Sequence, residues 1–153
     1  MYAFDDKSGR PICLVPEITG PLQDAWRDVW SKQSAGKRVF YVARCYRYEA
    51  PQLGRYREFT QIGVELFGSA ALAERSEVVA LLRCALDLSG IPYTIDENVQ
   101  RGLGYYTEDG FEARCDLLGA QKQVAGGGRY AEGIGWAIGA DRVVLAQSLL
   151  RRD

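Results

Sequence analysis

Arginine is concentrated in one stretch of this chain. Residues 38–57 hold Arg38, Arg44, Arg47, Arg55 and Arg57 against one acid, Glu49, so the stretch carries +4 while the whole chain carries −1. The planar fork of arginine suits bidentate contacts to phosphate or carboxylate better than the point charge of lysine does. Arg47 and Glu49 are two residues apart, so on an extended segment they share a face. Across a hairpin, Phe59 and Gln61 can point the same way. Such a surface offers a guanidinium for phosphate, a carboxylate for a metal or amine, a ring for stacking and an amide edge for hydrogen bonding. A nucleotide needs those four things. The same residues equally suit a solvated, arginine-rich edge hairpin.

The chain contains no histidine. A Ser-His-Asp triad, a Cys-His dyad, a His-ligated zinc and a histidine general base are therefore excluded within it. The remaining polar side chains bind and polarise anions more readily than they shuttle protons. Gly126-Gly127-Gly128-Arg129 lacks the Lys-Ser/Thr of a phosphate-binding P-loop. Gly133-x-Gly135-x-x-x-Gly139 has the wrong spacing for a dinucleotide fingerprint and reads as tight strand packing. No transition-metal cluster is visible.

These residues must be positioned by the elements around them. Residues 11–15 read as a short strand. Residues 20–33 read as a helix with Pro21 in its first turn and a stripe of Leu22, Ala25, Trp26 and Val29. Residues 38–48 are rich in β-branched and aromatic side chains and predict a strand. Pro51 and Gly54 make 49–57 a loop, and 58–67 the return strand of a long hairpin. That return strand sets Phe59, Ile62, Val64 and Leu66 against Thr60, Gly63 and Glu65, with one slip in phase. Residues 70–89 are the clearest helix, with Leu72, Val78, Leu81, Leu82, Ala85 and Leu86 at helical spacing and Gly90 as C-cap. Strands broken at Pro92, Gly102 and Glu108–Gly110 follow over 91–118. A further strand is expected at 121–125, a glycine turn at 126–128, a buried strand at 134–138 and a closing helix at 140–152. The fold class is α+β: an antiparallel sheet with two or three helices packed on one side.

A chain of 153 residues suits one domain, so residues 1–153 read as a single unit. The hydrophobic fraction of 47% and charged fraction of 25% are those of a soluble globular protein. The charge balance argues against a general nucleic-acid coat or a polybasic membrane binder. No apolar run approaches the roughly 18 residues of a membrane span. Asp5, Asp6, Lys7 and Arg10 interrupt any signal peptide. Cys13, Cys45, Cys84 and Cys115 form no C-x-x-C, which fits small core residues in a reduced, cytoplasmic compartment.

Residues 47–68, RYEAPQLGRYREFTQIGVELFG, resemble motif 2 of the class II aminoacyl-tRNA synthetases, in the form found in histidyl-tRNA synthetases. Three further segments agree in order. Residues 1–19 resemble the stretch ending in L-R-P-E-G-T. RGLGYYTEDGFE (101–112) resembles the histidine-specific R-G-L-D-Y-Y-T-x-T-x-F-E. GAQKQVAGGGRY (119–130) followed by GIGWAIGADRVVLA (133–146) resembles the glycine-rich loop and motif 3.

The resemblance implies an antiparallel sheet flanked by helices and an adenylation reaction, in which an amino-acid carboxylate attacks the α-phosphate of ATP. It implies that Arg47 holds the α-phosphate, Phe59 stacks on adenine, Glu49 and Arg55 line the ATP site, and Arg142 holds the γ-phosphate. Arg101 stands where histidyl enzymes place a further arginine at the α-phosphate. Glu17 would pair with the α-ammonium, with Thr19, Gln61, Glu65, Tyr105 and Tyr106 around the side chain of histidine. Tyr105 and Tyr106 also suit plain strand packing, and Glu65 a surface strand position. Mg²⁺ would arrive with ATP, held by phosphates and Glu49 or Glu65.

The departures cluster at the amino-acid end. L-R-P-E-G-T reads LVPEIT, placing Val15 and Ile18 at the arginine and glycine positions, and Ile18 would narrow the pocket. The aspartate of R-G-L-D-Y-Y is Gly104. Nothing corresponds to motif 1, to the insertion after motif 2 or to an anticodon-binding domain. The implied partners are histidine, the acceptor end of tRNA without anticodon reading, no membrane, and a second copy in a homodimer. Trp26 and Trp30 are the candidate self-association patch. The alternative functions are a non-catalytic histidine- or nucleotide-binding regulatory subunit of the histidine-biosynthesis type, and a scaffold remnant.

Overall fold

The computed structural model describes residues 1–68, 75–100, 102 and 104–151. The expected helix at 70–89 therefore has its first turn, with Leu72, outside the described residues, as is residue 152 of the closing helix. A small hairpin of β1 (Ala3–Asp5) and β2 (Pro11–Cys13) pairs Phe4 with Ile12. Three-residue β1 escapes the sequence because it is too short to show a period.

Six strands form the main sheet. They are β3 (Gly36–Tyr46), β4 (Glu58–Gly68), β5 (Thr94–Asp96), β6 (Tyr106–Arg114), β7 (Gln123–Tyr130) and β8 (Gly133–Gly139). Their spatial order is β3-β4-β8-β7-β6-β5, and each neighbouring pair is antiparallel. The three helices are α1 (Thr19–Asp28), α2 (Arg75–Ser89) and α3 (Ala140–Leu150). A 3-10 turn at Trp30–Lys32 follows α1. The α+β reading holds.

The helices occupy both faces, against the expectation of one. Leu66 of β4 and Ile134, Trp136 and Ile138 of β8 pack with Val78, Leu82 and Leu86 of α2 and Ala146 of α3. The indole N–H of Trp136 donates to the carbonyl of Val78 at 2.9 Å. On the opposite face, Trp26 of α1 stacks on Phe67 at 5.6 Å between ring centroids, with Tyr130 beside them. Phe67 and Leu66 are adjacent on one strand and so point to opposite faces. Trp26 is thereby buried, and Trp30 packs edge-on against Phe67. The expected tryptophan patch is spent on internal packing.

Strand alternation corrects several finer expectations. On β4 the true register sets Phe59, Gln61, Gly63, Glu65 and Phe67 on one face and Ile62, Val64 and Leu66 on the other. The apparent slip arises because both faces of this strand carry apolar residues. On α2, Val79 is buried and Leu81 is 42% exposed, one position off the expected stripe. Gly90 ends α2 at φ 71°, and its N–H donates to the carbonyl of Asp87. Residues 108–110 do not break a strand. β6 runs through them with a shift in register at Asp109, whose φ of 52° is held by its carboxylate accepting from Arg129.

The glycine run is not a turn. Gly126, Gly127 and Gly128 lie inside β7 and are buried. A Cβ on Gly127 would sit 2.3 Å from the carbonyl oxygen of Gly135 and 2.5 Å from the Phe111 ring. The missing side chains let β6, β7 and β8 pack closely rather than letting the chain reverse. Of the four free cysteines, Cys45 and Cys115 are core residues as expected, whereas Cys13 and Cys84 are exposed. No helix among the described residues is long and apolar enough to cross a membrane.

Candidate functional site

One face of the β3–β4 hairpin forms the floor of a cleft of about 290 Å³. Arg47 follows the end of β3, and its backbone N–H donates to the carbonyl of Arg57, which carries hairpin pairing past the last strand residue. Its guanidinium lies over the Phe59 ring, 4.9 Å from the centroid. Its Nε–H donates to the carbonyl of Pro16 at 2.8 Å, and the side chain lines the cleft. Alternation along the two strands thus brings Arg47, Phe59 and Gln61 together as their positions require. The Cys45 thiol donates to Oε1 of Gln61 at 3.3 Å, and Gln61 lines the cleft.

The loop over 49–57 closes one side. Arg55 donates through Nε to Glu49, and this bond holds the Glu49 carboxyl below its ordinary range. Arg142, near the start of α3, donates from Nε to the carbonyl of Gly54 at 2.7 Å and from Nη1 to those of Gln121 and Gln123. Burial, followed by the nearby Arg55, pushes its pKa down. Three carbonyls keep the guanidinium in place.

Several cleft residues are absent from the sequence reading. Asp141 lines the cleft, and its Oδ2 accepts from the backbone N–H of Thr60 at 2.7 Å, tying α3 to β4. Its place beside Arg142 in the first turn of a helix, where an acid is favoured, was the available signal. Tyr56, Gln121 and Gln123 also line the cleft, without a distinguishing pattern in sequence.

At the other end, Glu17 precedes α1. It accepts from the N–H of Gly20 at 2.8 Å and from the Tyr105 hydroxyl at 3.2 Å. Thr19, Gln61, Tyr105 and Tyr106 complete this end. The two tyrosine rings lie 4.6 Å apart between centroids, tilted by 46°, and both line the cleft instead of alternating in and out.

Glu65 departs from expectation. It has no exposed surface and does not line the cleft. Its Oε1 accepts from the Thr19 hydroxyl at 2.6 Å and its Oε2 from the Tyr130 hydroxyl at 2.8 Å. It is neither a surface strand residue nor available to a metal. Burial pushes its pKa up to about 8, with Thr19 and Tyr130 pulling the other way. Val15, Ile18 and Gly104 do not line the cleft either, so Ile18 does not narrow it. Arg101 lies outside the described residues.

A raised carboxyl pKa has a definite consequence for stability. Between its ordinary 4.5 and about 8, folded Glu65 keeps a proton that the unfolded chain releases. Its contribution is therefore complete below about pH 4.5 and is lost as pH rises through about 8. Melting temperature measured from pH 5 to 9 should fall more steeply in the parent than in Glu65→Gln. Parallel slopes would remove Glu65 from this role.

A family model described as histidyl-tRNA synthetase matches residues 1–92. The histidine–tRNA ligase of Archaeoglobus fulgidus is 28% identical over 254 residues, covering 97% of this chain and 62% of that protein. That of Methanospirillum hungatei is 27% identical over 248 residues, covering 95% and 61%. The chain thus spans about three fifths of the length of these relatives. A match of 254 residues against a chain of 153 leaves at least 101 positions of the Archaeoglobus protein without a counterpart here. Among solved structures, the apo histidyl-tRNA synthetase of S. aureus superposes with a TM-score of 0.81 at 20% identity, covering 99% of this chain and 61% of that one. A Bacillus halodurans protein titled ATP phosphoribosyltransferase regulatory subunit/histidyl-tRNA synthetase gives 0.75 at 17%, covering 97% and 67%. These two likenesses establish the fold.

Proposed function

The chain belongs to the histidyl-tRNA synthetase family, and we propose that its cleft activates an amino acid with ATP, forming an aminoacyl adenylate. Histidine, the amino acid in the relatives' names, is the first substrate to test. One observation carries this reading. A guanidinium over an aromatic ring, Arg47 over Phe59, shares a cleft with Glu17 and Gln61 at one end and with Arg55 and Arg142 at the other.

In the reaction, a carboxylate oxygen of the amino acid attacks the α-phosphorus. The bond from that phosphorus to the oxygen bridging the β-phosphate breaks, pyrophosphate leaves with the electron pair, and an acyl–phosphate anhydride remains. No proton need move, because the carboxylate is already ionised at neutral pH. A chain without histidine loses nothing by this. The work is positioning and charge stabilisation. In this reading Arg47 offsets charge on the α-phosphate while Phe59 stacks against adenine. In the same reading Arg142 meets the γ-phosphate, and the Arg55–Glu49 pair walls the nucleotide. Glu17 takes the α-ammonium, with Thr19, Gln61, Tyr105 and Tyr106 around it. Arg101 would add a second guanidinium at the α-phosphate.

Among the described residues no group of three His, Cys, Asp or Glu side chains is placed to hold a metal. The phosphates would therefore carry Mg²⁺ in, next to Glu49 or Asp141, and it would offset their charge. Transfer to the acceptor end of tRNA, a homodimer and a cytoplasmic location extend the same proposal.

A second reading, a non-catalytic histidine- or nucleotide-binding regulatory subunit, is supported by the likeness in fold to the Bacillus halodurans protein whose title names a regulatory subunit. ATP–pyrophosphate exchange with each amino acid in turn separates the two. Exchange dependent on an amino acid is the expected result. A folded protein that binds ATP or histidine and exchanges with none would select the second reading.

A further inference from the structure

Strand β6 carries extra residues where it passes the cleft. Tyr106 pairs with Tyr130, Glu108 with Arg129 and Phe111 with Gly127. Asp109 and Gly110 therefore oppose the single residue Gly128. That is a bulge, and its first residue, Asp109, is left-handed at φ 52°. Among the described residues it is the one non-glycine with a positive φ. The motif that this segment resembles has threonine here, a β-branched type for which that conformation is costly. Aspartate takes it up more readily.

The Asp109 carboxylate is held from two sides. Oδ2 accepts from Nε of Arg129 at 2.8 Å, and Oδ1 lies 3.5 Å from Nε of Arg75. Arg75 is anchored in turn. Its Nη1 and Nη2 donate to the carboxylate and the carbonyl of Glu97 at 2.9 and 2.7 Å. Arg83 donates to the same carboxylate at 2.8 Å. The charges thus alternate along Arg83, Glu97, Arg75, Asp109 and Arg129, and they link α2, the segment after β5, β6 and β7. Single exposed ion pairs contribute little stability; a linked set is better suited to fixing a geometry.

The geometry fixed here reaches the cleft through Gly128. A Cβ on Gly128 would lie 2.9 Å from the Tyr106 ring and 3.3 Å from Cα of Gly110. Ring and bulge rest on the same bare glycine, so a shift of the bulge displaces the ring. Tyr106 lies 4.6 Å from Tyr105 between centroids, and the Tyr105 hydroxyl donates to Glu17 at 3.2 Å. Bulges beside active sites commonly re-aim a side chain in this way.

We propose that Asp109 is a positioning residue for the amino acid. Its carboxylate, pinned by Arg129 and Arg75, holds the bulge of β6, and the bulge seats Tyr106 and Tyr105 beside Glu17. Asp109 itself touches no substrate. The proposal rests on the adenylation reading above.

Asp109→Gly and Asp109→Asn test it in ATP–pyrophosphate exchange with histidine, after a thermal melt has shown each variant folded. Glycine tolerates the left-handed backbone and removes only the carboxylate. Misplacement by about 1 Å can cost on the order of 10²-fold, so the KM for the amino acid should rise by about tenfold or more while the KM for ATP stays within about twofold. Asparagine tolerates the same backbone and keeps an oxygen for Arg129, so it should restore most of the loss. If Asp109→Gly does not fold, Arg129→Lys takes its place with the same expected split, because lysine keeps the charge but loses the fork. An unchanged amino-acid KM, an equal rise in both KM values, or an asparagine variant as impaired as the glycine one overturns the inference and leaves adenylation standing. A parent that exchanges with no amino acid overturns adenylation instead. Nuclear Overhauser contacts between the rings of Tyr105, Tyr106 and Tyr130 then decide for Asp109. They should weaken in Asp109→Gly, and contacts as strong as in the parent overturn the inference.

Discussion

Replacing Arg47 with alanine will reduce amino-acid-dependent ATP–pyrophosphate exchange by at least a hundredfold while the protein stays folded. The guanidinium lies over the Phe59 ring, in the cleft that Glu17 and Gln61 also line. Removing one preorganised donor from developing charge costs typically 10²–10³ in rate. The structural cost is smaller. Arg47→Ala loses the hydrogen bond to Pro16 and the cation–π contact with Phe59, together worth about 1–2 kcal/mol. Melting temperature should therefore drop by only a few degrees. Arg47→Lys keeps the charge but loses the planar fork, and should recover only part of the rate. Undiminished exchange in Arg47→Ala would remove this residue from the site.

Gly127→Ala will be among the most damaging single methyl groups in the fold. The new Cβ would lie 2.3 Å from a backbone oxygen on the neighbouring strand, and backbone cannot step aside as a side chain can. It would also press on Phe111, which is fully buried. Strands β7 and β8 must separate or shift. The cost is about 3 kcal/mol or more, a fall in melting temperature of roughly 6–12 °C. Gly128→Ala is the comparison: its nearest neighbour, at 2.9 Å, is the ring of Tyr106, which can move. A thermal melt that ranks Gly127→Ala as the milder of the two would contradict this account of the glycine run.

Much of the site was legible because strand alternation is a rigid rule. Given a hairpin, the positions of Arg47, Phe59 and Gln61 on one face follow from parity. The helix stripes were legible too, although periodicity says only that a helix has an apolar side. It does not say which face of a sheet that side will cover, and so α1 falls opposite α2 and α3. The glycine run misled because glycine serves both turns and close packing, and only the neighbouring strands decide between them. Glu65 misled for a different reason. Its partners, Thr19 and Tyr130, lie 46 and 65 residues away in sequence. No local pattern can reveal that a carboxyl is capped on both oxygens by such distant hydroxyls.

The central claim is that one face of the β3–β4 hairpin holds a nucleoside triphosphate. The most direct test is a titration with Mg·ATP followed by NMR of the arginine Nε–H groups and the phenylalanine rings. Saturable shifts of Arg47, Arg142 and Phe59, with those of Arg142 and Phe59 needing more Mg·ATP in Arg47→Ala, are the predicted result. Shifts confined to other residues, or none that saturate, would contradict it.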